Sequence, residues 1–245
     1  MTVSDSTFQS GSTPSDVSSL ASRIQSTLIS NQLTQTLWEE HIQQCLEYRF
    51  HAAMIPAAWV RKTAYALRNT GIRVASFVDL PYGTMSSAGK AYEAGRIVDD
   101  GGEEVDLMPN VGFLLSDMKR EYVEDIRGVV QVAQGRPVKV MLELPLLNEV
   151  QRKYAIDLSI EAGASYLKNA SSGAVGVATA EQIRFLRRVA PAQVRIKASG
   201  GIKKAGQVWE LLEAGADLVG TSAGVQIMRE IQGEKATLRQ REAGY

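Results

Sequence analysis

Histidine is almost missing from this 245-residue chain, which has only His41 and His51, and there is a single cysteine, Cys45. A zinc centre with three or four side-chain ligands needs a richer set of imidazoles and thiols, so a metal-dependent reaction is disfavoured and no metal or other cofactor is expected. One cysteine cannot close an internal disulfide. Cys45 falls in a helical stretch and reads as packing, and its solitude fits a reducing, cytoplasmic setting. Long apolar runs are lacking too: none approaches the roughly 18 residues of a membrane-spanning helix. The opening Met1-Thr-Val-Ser-Asp-Ser-Thr has no basic region followed by an apolar core, so it does not read as a secretory signal. Charge bias is absent as well. Lys plus Arg and Asp plus Glu number 27 each, leaving no bulk field to recruit nucleic acid or an anionic membrane.

What is present suits one large core, with 44% hydrophobic residues. Residues 1–20, rich in Ser, Thr and Asp, are expected to form a disordered tail, 21–235 the folded domain, and 236–245 a flexible tail ending at Tyr245. Within the domain, short apolar strands alternate with amphipathic helices. Strands are expected at 26–30, 51–55, 73–80, 104–108 and 137–144, then around Lys168, around Lys197, and at 217–221. The helices between include 37–48, 87–99, 116–133 with Ser116-Asp117 as its cap, 149–161, 179–189 and 203–213. Eight such units of roughly 25 residues are what a (β/α)₈ TIM barrel requires, and barrels place their chemistry at the C-terminal strand ends. The rival, a doubly wound open sheet, is weakened because no Gly-rich dinucleotide turn follows the first strand.

Two stretches carry the chemistry: Ala164-Ser-Tyr-Leu-Lys168 and Val194-Arg-Ile-Lys197-Ala-Ser-Gly-Gly201. On adjacent parallel strands, Lys168 and Lys197 would project from the same mouth. An amine must be neutral to attack a carbonyl, and an ordinary lysine titrates near 10.4. Two ammonium groups about 4 Å apart repel by about 4 kcal/mol at an effective dielectric of 20, worth about 3 pH units. A lysine can be activated in this way. Ser199-Gly200-Gly201 and Gly220-Thr221-Ser222 follow the last two strands, where barrels cradle phosphate with backbone N–H groups.

Tyr-Leu-Lys168, Lys197-Ala-Ser-Gly-Gly201 and Gly220-Thr-Ser-Ala-Gly224 together resemble the deoxyribose-phosphate aldolase family, over about residues 28–224. The resemblance implies a class I aldolase: reversible carbon–carbon cleavage on a small aldehyde and a phosphorylated aldehyde, with a homodimer as the family's usual assembly. It makes Lys168 the Schiff-base lysine, Lys197 the lysine that perturbs it, and Asp106 the acid/base aspartate, with Lys139 as a further strand-five lysine. It also gives Tyr245 a role in proton transfer from a closing tail. On its own, Asp106 would read as a strand-end aspartate capping a loop.

The chain departs from the family where Asp-His-Thr becomes Ser30-Asn31-Gln32 and Cys-Val-Asn becomes Met54-Ile55-Pro56. Gly-Phe-Pro becomes Asp79-Leu80-Pro81, which puts a carboxylate near the mouth. Lys-Thr-Ser-Thr-Gly-Phe becomes Lys168-Asn-Ala-Ser-Ser-Gly173. These changes leave open a related aldolase of specialised metabolism with another substrate, and, from a different class, a catalytically silent barrel that binds a phosphorylated metabolite.

Overall fold

The computed structural model describes residues 17–233. They form a closed barrel of parallel strands in sequence order: β1 (Ile24–Thr27), β2 (Ala52–Met54), β3 (Arg73–Val78), β4 (Glu104–Leu107), β5 (Val138–Met141), β6 (Tyr166–Lys168), β7 (Arg195–Ser199) and β8 (Leu218–Thr221). β1 pairs with β8 through Gln25↔Gly220, so the sheet has no edge and the open-sheet alternative is excluded. The helix Val17–Ala21 precedes the barrel with Leu20 buried, so the end of the stretch expected to be a tail belongs to the folded body. The rest of that stretch, and the C-terminal stretch with Tyr245, lie outside the described residues.

Local sequence explains several helix starts. Thr34, Ser86, Asn148 and Thr179 precede the helices Gln35–Tyr48, Ser87–Asp99, Glu149–Glu161 and Ala180–Val189, and each side chain accepts a backbone N–H of the first turn. Such caps contribute about 1 kcal/mol apiece. The helix expected over 116–133 is Lys119–Val132, which starts three residues later and has no side-chain cap. A short helix that was not expected, Val111–Leu115, precedes it and is capped by Asn110. Asp117 adopts a left-handed φ of 57°, so Ser116-Asp117 is the break between them rather than a cap.

Side chains alternate across a strand, and the buried apolar residues sort accordingly. Ala53, Ile55, Val74, Val105, Leu107, Val140, Leu167, Ile196 and Val219 join the large cluster packed under the helices. The opposite faces of β2 and β3 make a second, small cluster of Ala52, Met54 and Ala75 with Phe77. Much of the rest of the barrel interior is polar: Gln25, Glu104, Asp106, Lys139, Lys168 and Lys197 are all buried. That is costly unless charges are paired, and the pairing defines the site. Among the described residues no helix is long and apolar enough to cross a membrane.

Candidate active site

The parallel register sets Lys168 directly beside Lys197, and Asp106 beside Lys139. All four face inward, and Asp106 is where they meet. Its Oδ2 accepts from Lys197 Nζ at 2.6 Å and from Lys168 Nζ at 3.0 Å. Lys139 Nζ lies 3.4 Å from Oδ1 and 2.7 Å from Glu104 Oε2. Glu104, the first residue of β4, is also reached from the lower mouth by His51 (2.8 Å) and the half-exposed Arg73 (2.8 Å). Gln25 lies between the layers, its Nε2 donating to Glu104 Oε2 at 3.0 Å and its Oε1 accepting from Lys197.

The electrostatics follow from this crowding. Burial would push the Asp106 carboxyl up, but Lys197, Lys168 and Lys139 hold it well below the usual carboxylate range. Glu104 is likewise held low against burial, by Lys139 and His51. Lys139, between the two anions, titrates above the ordinary lysine value despite its burial. Lys197 goes the other way. Burial, helped by Lys168 and Lys139, outweighs the attraction of Asp106 and brings its amine down to about 7. Three lysines around two buried carboxylates balance when one amine is neutral, and an amine poised near neutrality can take and return a proton. The repulsion argued from sequence is therefore present with an aspartate set between the two amines, and the lowered amine is Lys197 itself.

A cavity of about 360 Å³ opens at the C-terminal mouth. It is lined by Lys168, Lys197 and Asp106, and by Ser199, Gly200, Gly201, Gly220, Thr221 and Ser222. Lys139 lies below its floor. Gly200 has φ 111°, and a Cβ there would stand 2.4 Å from the Gly176 carbonyl oxygen, so only glycine suits this turn. Gly220 has a second duty: a Cβ would sit 2.8 Å from Lys197 Cε and 2.7 Å from Ser199 Oγ, so the bare backbone of β8 makes the room Lys197 occupies. The Thr221 hydroxyl donates to Ile202 O (2.6 Å) and accepts from Ala223 N (2.9 Å), tying the two loops together. Asn169, beside Lys168, accepts from Ser199 N at 2.8 Å and fixes the upper ends of β6 and β7.

Over 214 residues, 86% of this chain and 94% of the relative, the sequence is 35% identical to the deoxyribose-phosphate aldolase of Carboxydothermus hydrogenoformans. It is 34% identical to that of Coprothermobacter proteolyticus over 85% of this chain and 95% of the relative. The chain belongs to the deoxyribose-phosphate aldolase family. The tetrameric deoxyribose-phosphate aldolase of Aeropyrum pernix superposes with a TM-score of 0.83 at 28% identity, covering 90% of this chain and 94% of that one. No family model matches the chain. As a member of the family it is a lyase, an aldolase of the class I type, which makes and breaks a carbon–carbon bond through a lysine Schiff base. The catalytically silent barrel is thereby set aside.

Two departures from the family look different in three dimensions. β1 ends at Thr27, two residues into the strand expected at 26–30, so Asn31 and Gln32 are exposed and do not line the cavity. Thr27 does line it, so a threonine stands at the mouth of strand one after all. Asp79 turns its carboxylate away, accepting from Met85 N at 2.7 Å and lying 3.6 Å from Lys90, and is not part of the cavity wall. Met54 and Leu80 do line it. Sequence reasoning missed Gln25, Thr27 and Glu104. The inward alternation of Glu104 and Asp106 on β4 was the available signal for Glu104; Gln25 carried none, because its partners come from β4 and β7.

Proposed function

We propose that the chain catalyses the reversible aldol reaction for which its relatives are named, joining or releasing a small aldehyde donor and a phosphorylated aldehyde. The observation that carries this reading is the single Asp106 oxygen shared by Lys168 and Lys197 at 3.0 and 2.6 Å. Both lysines line the cavity, and Lys168 is taken as the nucleophile because it is the more exposed of the two, 6% against 1% for Lys197. As a free amine it adds to the substrate carbonyl, forming a carbon–nitrogen bond and then losing the oxygen as water to give the iminium. The iminium draws in the electron pair of the breaking carbon–carbon bond, leaving an enamine. Lys197 and Asp106 carry the protons that the hydroxyl gives up and the enamine carbon regains. Lys139 secures Asp106 from below.

The phosphate sits against the backbone of Ser199-Gly200-Gly201 and Gly220-Thr221-Ser222, with the start of the helix Gly224–Ile231 behind it. Tyr245 serves as a proton donor in this reaction. The enzyme is read as a cytoplasmic homodimer.

Borohydride reduction in the presence of acetaldehyde tests the assignment. A reduced adduct on Lys168, mapped by mass, is expected, and it disappears in Lys168→Ala. Trapping undiminished in that variant refutes the nucleophile.

A further inference from the structure

Gln25 has no part in the chemistry described above, yet it touches both buried charge layers. Glu104, held ionised, can only accept hydrogen bonds, so the Gln25 amide must point its NH₂ at Glu104 Oε2 (3.0 Å). That orientation leaves Oε1 aimed at Lys197 Nζ, which donates to it. Gln25 is fully buried, and its strand is closed against β8 beside Gly220, whose missing Cβ gives Lys197 its room.

The charged and titratable groups around the Lys197 amine can be named strand by strand. β4 supplies Asp106 and, one layer down, Glu104; β5 supplies Lys139; β6 supplies Lys168 and Tyr166. His51 and Arg73 reach only Glu104, from below. β2 and β3 present Ala52, Met54, Ala75 and Phe77, and β8 presents Gly220, none of them ionisable. From β1 come Gln25 and, at the cavity mouth, Thr27, and both are neutral.

We propose that Gln25 is a positioning residue for the aldolase reaction: it fixes the Lys197 amine over Asp106 with a hydrogen bond that adds no charge, so that Lys197 can cycle between protonated and neutral forms. A neutral carbonyl accepts from both forms of an amine. A second carboxylate at the same place would hold the proton on Lys197, and an apolar side chain would leave the ammonium one partner short. The inference rests on the reading of Lys197 as a proton carrier.

The test compares Gln25→Glu and Gln25→Met, two side chains of similar length, by the pH dependence of kcat/KM and by borohydride trapping at Lys168. Adding a carboxylate favours the ammonium, so the limb near neutrality moves up by about one pH unit or more in Gln25→Glu. Removing the acceptor disfavours the ammonium, so in Gln25→Met the limb moves down by about one unit, a tenfold change in acidity. In both variants kcat falls while KM holds and Lys168 is still trapped. Opposite displacements of one limb are not produced by loosened packing. A limb that stays put, or moves the same way in both, overturns the role of Gln25. If Gln25→Met does not fold, the direction in Gln25→Glu decides alone: upward supports the proposal, anything else overturns it. Failure of trapping in the parent enzyme would overturn the aldolase assignment of Lys168 instead.

Discussion

Replacing Lys197 with Met should make the protein more stable at neutral pH, and the gain should fade as the pH rises. The Lys197 amine titrates at about 7 in the fold against 10.5 when free, chiefly because it is buried, with Lys168 and Lys139 adding to the effect. Below pH 7 it is protonated both in the folded and in the unfolded chain, and the fold bears the full cost of that charge. A drop of about 3.5 pH units corresponds to about 5 kcal/mol as an order of magnitude. Between pH 7 and 10.5 the unfolded chain holds a proton that the folded chain has released, so stability rises with pH by up to about 1.4 kcal/mol per pH unit. Above 10.5 the two states match and the cost is gone. Methionine has no proton to lose and fills similar space. Urea denaturation of parent and Lys197→Met at several values between pH 6 and 9.5 isolates the contribution, because other groups largely cancel in the difference. The parent should gain on the variant by about 2–3 kcal/mol between pH 7.5 and 9.5. A difference that stays flat with pH would refute the claim that Lys197 is held near neutrality, and with it the proton-carrier role.

Gly220→Ala places a methyl 2.8 Å from Lys197 Cε and 2.7 Å from Ser199 Oγ, so it should cost about 1–3 kcal/mol in stability and lower kcat. Parent-like thermal melting and turnover would show that Lys197 does not need that space. Glu104→Gln removes the anion shared by Lys139, His51 and Arg73 and should destabilise by about 3–5 kcal/mol, read by urea denaturation. A loss below about 1 kcal/mol would mean that this lower layer is not a working ion network. Inorganic phosphate or sulfate, at concentrations on the order of tens of millimolar, should compete with substrate and raise the melting temperature; the absence of both effects argues for an unphosphorylated substrate. Tyr245→Phe should slow proton exchange at the donor carbon while leaving Schiff-base formation at Lys168 near normal, and equal exchange rates would remove the tail from the mechanism.

Much of this enzyme is legible along the chain. Alternating apolar strands and amphipathic helices, started by Thr34, Ser86, Asn148 and Thr179, are local properties, since a cap acts on the helix turn beside it. Lys168 and Lys197 stood out because each ends or interrupts an apolar strand, and the shared register of β6 and β7 then places them side by side. The barrel's closure decided the rest. Which residues of β1 face inward depends on its pairing with β2 and β8, and matching the family's Asp-His-Thr to Ser30-Asn31-Gln32 drew attention past Gln25 and Thr27. Asp79 is a mouth residue by position but is turned aside by Met85 and Lys90, partners supplied by the following loop and helix. The Lys197 amine owes its lowered titration first to burial that exists only once eight strands have closed around it, then to Lys168 and Lys139 working against Asp106, groups between 29 and 91 positions away in sequence. Residue types and their alternation are written in the chain, whereas charge balance inside a barrel belongs to the assembled structure.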